Sequence, residues 1–316
     1  MLHFLKTWTL PIAMLAGAAA YFLYISIPVF DGTHRIVGQL IGWVQPVLIF
    51  LMLFLSFCKV DPRALRPRRW HALHLLVQSG SFASLCLLCT QLPSAGLRVV
   101  VEAAMLCMIC PTATAAVVVT GKLGGDTAGL TTYTLLINLA TAIVVPLLVP
   151  LVHPSASVGF LVSFQLIIAR IFPLLICPFV LAVLVRYLLP KLHKALLRPR
   201  DLPFYLWAVS LSLAIGVSVR SLFHSHATLW VQLGIALASL LSCVLQFGLG
   251  RWLGKRYGCP ISAAQALGQK NTVFAIWVGY TFLTPVSALA GGFYSIWHNV
   301  YNTWQLRRQE QEKGPC

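Results

Sequence analysis

The chain has 316 residues, of which 59% are hydrophobic and only 9% charged, and its mean hydropathy is +0.84. A soluble domain carries about 25% charged residues, so a soluble fold is excluded. The many long apolar runs exclude a β-barrel, whose strands alternate over about 10 residues. The net charge of +16 does not point to nucleic acid, because the basic residues fall between apolar runs and set topology there.

A membrane span needs about 20 apolar residues, and ten are expected in chain order. They run roughly over 7–29, 36–57, 71–92, 98–120, 127–152, 158–189, 203–220, 227–249, 260–284 and 286–305. No polar segment is long enough for a separate soluble domain, so one all-α transmembrane domain is expected over 1–316, with a short cytoplasmic tail at 307–316. The first apolar stretch has no small-residue cleavage site at signal-peptide distance and is read as a span.

Lys and Arg test that count. Of the 23, ten spans place 18 on one side, in the N-terminus, the 2–3, 4–5, 6–7 and 8–9 connections and the tail. Only Arg35, Arg98 and Arg220 fall on the other side, and Arg170 and Lys270 lie inside spans. This asymmetry predicts both termini on the cytoplasmic side of a plasma or inner membrane.

Nine cysteines lie mostly in apolar segments. Cys86-x-x-Cys89 and Cys107-x-x-Cys110 lack a second ligand pair at metal spacing, so they read as packing residues and no metal site is expected. No Ser–His–Asp set with a buried carboxylate is evident, and enzymatic function is not expected.

Spans four and nine are the irregular ones. Span four holds Cys110-Pro111-Thr112-Ala113-Thr114, where proline removes an N–H and disfavours helix before it. Span nine holds Gly268-Gln269-Lys270-Asn271-Thr272, where glycine and polar side chains interrupt the apolar pattern. An odd number of spans per half inverts the second half, so repeats of about 1–153 and 154–306 are expected, with a break in the fourth span of each. Paired breaks are a sequence pointer to a transporter binding site. Lys270 stands out, because a lysine at that depth costs roughly 2.5–3.5 kcal/mol on insertion scales and such residues mark substrate or ion paths.

These residues resemble the bile acid:sodium symporters and their bacterial relatives over nearly the whole chain. The likeness rests on Phe50 to Leu55 with Asp61-Pro62-Arg63, and on Cys110-Pro111 to Ala116 with Gly124-Gly125-Asp126 and Pro146-Leu147-Leu148. It also rests on Gly268-x-x-Asn271-x-x-x-Ala275 with Pro285 and His298-Asn299. The resemblance implies a core of spans 3–5 and 8–10 and a panel of spans 1, 2, 6 and 7, with spans four and nine crossing at unwound midpoints. By position it implies that Thr112, Thr114, Asn271, Thr272, His298 and Asn299 border the substrate. Gln78, Gln265, Gln269, Lys270 and Thr131 stand at or beside the coupling-ion positions.

The departures are informative. Where the resemblance implies a sodium-binding glutamate the chain has Ala266, and where it implies a serine-asparagine pair the chain has Ala116-Val117. A second hydroxyl of the fifth span is Leu135, and a glutamine before the motif asparagine is Lys270. Of the seven acidic residues, Asp31, Asp61, Asp126, Asp201, Glu310 and Glu312 lie in loops or the tail and Glu102 near the start of span four. None replaces the lost carboxylate.

The expectation is a secondary-active transporter of a small organic anion, bile-acid-like or another carboxylate, in which the Lys270 ammonium takes the place of sodium. A lysine that gives up its proton would couple transport to protons; one that stays charged would attract the anion or pair structurally. A sodium symporter with an altered site and a passive uniporter stay open as alternatives, and no organic cofactor is expected. Arg170 is read as meeting an anion or an interface. His153, His224 and His226 are read as interfacial. Substrate identity and oligomeric state are not readable from the residues.

Overall fold

The computed structural model describes residues 2–30, 32–154, 159–199, 202–224 and 227–312. Asp31, Arg200, Asp201, His226 and Lys313 lie outside the described residues, as do the side chains of Lys6, Glu310 and Glu312.

The protein is an all-α, multi-pass membrane bundle. In chain order the helices are α1 (Leu2–Ser26), α2 (His34–Cys58), α3 (Arg69–Gln91), α4 (Ala95–Ile109), α5 (Ala116–Lys122) and α6 (Thr127–Val152). They continue with α7 (Phe160–Leu188), α8 (Pro190–Leu197), α9 (Leu202–Phe223), α10 (Leu229–Lys255), α11 (Pro260–Gly268), α12 (Thr272–Phe282) and α13 (Leu289–Glu312). Large apolar side chains such as Trp43, Leu76 and Trp230 are fully exposed along these helices, as a lipid-facing surface requires.

Among the described residues six helices are long and apolar enough to cross a membrane: α2, α3, α6, α7, α9 from Tyr205 onward, and α10. The expected fourth and ninth spans are not among them because each is split, into α4 with α5 and α11 with α12. The expected tenth span lies in α13, whose His298, Asn299, Asn302 and Gln305 dilute its apolar character. Residues 307–312, expected as tail, continue α13, since Arg, Gln and Glu there all favour helix. The short α8 was not expected as a separate element; Pro190 at its first position lacks an N–H to bond back and starts a new helix.

The chain divides into two compact units. One comprises residues 1–59 and 177–226, and the other 60–176 and 227–316. In the first, Gly17 of α1 lies against the Ser212 backbone of α9, and Ser212 Oγ donates to the Ala13 carbonyl at 2.9 Å. His193 of α8 bonds the Cys58 carbonyl at the end of α2 at 2.8 Å.

The second unit holds a core of Trp70, Leu130, Tyr133, Ile137, Ala263, Ala266 and Leu267. Gly250 and Gly254, one turn apart on α10, bring its backbone against α11. A Cβ at either position would lie 2.5 Å from an Ala263 atom. Small residues at this spacing are how helices approach closely where no hydrophobic force drives them together.

Candidate functional site

The two helix breaks meet. Ala113 N–H donates to the Gln269 carbonyl at 2.8 Å and Asn271 N–H to the Pro111 carbonyl at 2.8 Å, making an antiparallel bridge between Thr112 and Lys270. Pro111 has no N–H, so at this point the chain offers only an acceptor, and Asn271 supplies the donor. Thr112 and Lys270 are a non-hydrogen-bonded pair, the kind that brings side chains closest.

A broken helix leaves its last carbonyls without intrahelical partners, and leaving one buried and unpaired costs about 1–3 kcal/mol. At the end of α4 each of the last four carbonyls is met by a side chain from outside the helix. Cys107 O accepts from Gln246 Nε2 of α10 at 3.1 Å, and Met108 O from Lys270 Nζ at 3.3 Å. Ile109 O accepts from Thr141 Oγ1 of α6 at 3.0 Å and from Gln78 Nε2 of α3 at 3.2 Å. Cys110 O accepts from the same Gln78 nitrogen at 2.9 Å. The end of α11 is treated alike: Ala266 O accepts from Thr112 Oγ1 at 2.7 Å, and Gly268 O from Tyr294 Oη of α13 at 2.8 Å.

Lys270 therefore brings its Nζ to the carbonyl end of α4, where the helix dipole favours positive charge. It is 1% exposed. The titratable groups that interact with it electrostatically are the thiols of Cys110, Cys107 and Cys243. Among the described residues no acidic side chain forms an ion pair with it. The buried Glu102 carboxylate is engaged elsewhere, accepting from His153 Nε2 at 2.9 Å, Thr284 N at 3.0 Å and Thr284 Oγ1 at 3.1 Å. Asp126 pairs with Arg68 at 2.6 Å.

The site residues expected from sequence fall into three groups. Thr112, Gln269, Lys270, Asn271 and Thr272 are buried together at the crossover, and Asn271 Oδ1 caps α12 by accepting from Phe274 N at 3.3 Å. Thr114 is half-buried just beyond. Gln78 joins them through the α4 carbonyls, while its own Oε1 accepts from Tyr133 Oη at 2.8 Å.

His298 and Asn299 lie on α13. The His298 ring packs edge-on to Tyr294 at 5.7 Å, its Nδ1 buried without a partner, and Asn299 Nδ2 donates to the Ser295 carbonyl of its own helix at 2.7 Å. Two residues point elsewhere. Thr131 donates to Thr127 O of its own helix at 2.8 Å, and Gln265 donates to Asn302 at 2.9 Å and Gln305 at 3.0 Å on α13. Arg170 is exposed on α7. His153, expected at an interface, is half-buried at the end of α6 and bonds the Glu102 carboxylate.

Sequence alone does not single out Gln246, Tyr294 and Thr141, which meet the carbonyls of the broken helices. Each is a polar side chain in an apolar span, which is the available signal, but only the fold shows which carbonyl each faces. Among the described residues no group of three or more His, Cys, Asp or Glu side chains is placed to hold a metal ion. No protein-family model matches the chain, and no curated protein matches it.

Proposed function

We propose that the protein is a secondary-active transporter of a small organic anion working by alternating access, with Lys270 occupying the place that a free cation takes in the bile acid:sodium symporters it resembles. The observation that carries this reading is a buried lysine without a carboxylate partner, bridged to Thr112 at the meeting of two helix breaks. Irregular backbone at membrane depth is tolerated only inside protein or along a water-filled cavity, and an intramembrane charge is functional by default.

The charge distribution supports ten spans in a five-plus-five inverted repeat with both termini cytoplasmic. The compact unit of residues 1–59 and 177–226 supports a panel separate from the core. The α12 N-terminus presents the positive end of an eleven-residue helix beside Asn271, which favours an anionic group. Thr114, Thr272, His298 and Asn299 are the proposed side chains for the rest of the substrate.

Counterflow of labelled carboxylates in proteoliposomes tests this reading, run in sodium or choline and with or without a pH gradient. Sodium-independent counterflow that Lys270→Ala abolishes is expected. Transport that requires sodium and survives Lys270→Ala unchanged overturns the role given to Lys270, and no counterflow with any carboxylate overturns the transporter reading.

A further inference from the structure

Two basic residues lie inside apolar spans, and the fold accommodates them in opposite ways. Lys270 is buried, and its Nζ donates to the Met108 carbonyl. Arg170 is exposed on α7, and among the described residues it forms no hydrogen bond, ion pair or ring contact. α7 carries no acidic residue, and its other charge is Arg186 in the last turn. The described carboxylates are engaged elsewhere. Glu102 accepts from His153 and Thr284, Asp126 pairs with Arg68, and Asp61 accepts from the Arg63 N–H.

A guanidinium keeps its proton in any protein setting, so Arg170 brings a full charge into an apolar span. Its depth follows from the helix. α7 has 29 residues, and at about 1.5 Å per residue it is about 43 Å long. The hydrocarbon layer is about 30 Å thick, so a centred helix overhangs it by about 7 Å at each end. Arg170 stands ten residues past Phe160, which puts its Cα about 15 Å from the start of α7 and about 8 Å inside that layer. Helix side chains lean toward the N-terminus. That lean carries the guanidinium about one turn, roughly 5 Å, back toward Phe160. The charge then lies about 3 Å below the headgroups at that end, where local thinning of the bilayer brings a phosphate to it.

The way to it is open. Leu166 and Ser163 precede Arg170 by four and seven residues and share its face of α7. Leu166 is exposed, and a Cβ on Gly159, just before the helix, would meet nothing within 4 Å. Arginine suits a phosphate because its planar fork donates to two oxygens at once. A second copy docked by the same face would set arginine against arginine with no carboxylate on either α7.

We infer that Arg170 is a phospholipid site, its guanidinium binding the phosphate of an anionic headgroup in the leaflet at the Phe160 end of α7. Phosphatidylglycerol is preferred to phosphatidylcholine, whose own ammonium competes for the phosphate. This site goes beyond the transporter reading and rests only on α7 crossing the membrane.

The test is photolabelling of the full-length protein in phosphatidylcholine nanodiscs doped with a phosphatidylglycerol that carries a diazirine at the top of one acyl chain. Adducts are mapped by peptide mass spectrometry. Labelling of residues 159–170 is expected, and it falls about fivefold in Arg170→Leu, the factor that one basic residue contributes near an anionic membrane surface. Labelling beside the basic 59–69 and 251–256 segments stays the same in both proteins, which shows that fold and probe are intact. Arg170→Lys, a charge without the fork, falls between them.

Equal labelling of residues 159–170 in the wild type and Arg170→Leu overturns the inference. Loss of that label to inorganic phosphate or to a soluble carboxylate also overturns it, because the site would then take a free anion. Carboxylate counterflow that fails while the Arg170-dependent label persists removes the transporter reading and leaves the lipid site standing.

Discussion

Lys270 closes the last turn of α4 from across the crossover, its ammonium donating to the Met108 carbonyl at 3.3 Å. One long hydrogen bond contributes about 0.5–1.5 kcal/mol, whereas the desolvation of an ammonium in a protein interior costs several kcal/mol. The unfavourable effect is the larger. Lys270→Met is therefore expected to stabilise the detergent-solubilised protein by about 1–3 kcal/mol while abolishing transport. Thermal unfolding beside counterflow checks this. A clear loss of stability would mean that the ammonium is a structural cap and not a functional cost.

Gln78 makes three buried hydrogen bonds, to Ile109 O, Cys110 O and Tyr133 Oη. Gln78→Leu leaves the Cys110 carbonyl and the Tyr133 phenol unpartnered, while Ile109 O keeps Thr141, and a loss of about 2–4 kcal/mol is expected at about 1–3 kcal/mol per orphaned group, partly relieved by relaxation. Tyr133→Phe should cost less. The two changes share a bond, so the double variant is expected to fall short of their sum by at least about 0.5 kcal/mol. Additive losses in a double-mutant unfolding cycle would contradict the network.

Gly268 ends α11 with its Cα facing the Phe247 ring of α10, and a Cβ there would overlap the ring. Gly268→Ala is expected to cost about 1–3 kcal/mol by overpacking. Phe247→Leu in the same chain should recover part of that loss. Thermal unfolding that shows no recovery would place the cause in backbone conformation.

Glu102 ties the end of α6 and the turn after α12 to α4 through His153 and Thr284. Hydrogen bonds to a charged group contribute about 1.5–3 kcal/mol each in mutational series. Glu102→Gln keeps the shape but loses the charge, and about 1–3 kcal/mol of stability should go with it. Glu102→Leu should lose more, because Thr284 N–H is left buried without an acceptor. Equal melting temperatures for the two variants would show that shape alone matters there.

Much of this architecture was legible in particular residues. Pro111 and the Gly268 to Thr272 run announced the two breaks, because a missing N–H and a polar stretch interrupt helix whatever surrounds them. Lys270 announced itself by its cost in an apolar run. The resemblance placed Gln265 beside an ion position, yet its side chain bonds Asn302 and Gln305. Arg170, read as meeting an anion or an interface, is exposed on α7 among apolar neighbours.

Composition and spacing by themselves determined that the chain is a multi-pass helical membrane protein interrupted at two places, since those outcomes follow from local hydropathy and backbone chemistry. Only the tertiary structure decided that the two interruptions meet as a Thr112–Lys270 bridge, and which side chain answers each orphaned carbonyl. Those partners come from α3, α6, α10 and α13, far apart in sequence. A hydrogen bond between them is a matter of distance and direction that no local pattern encodes.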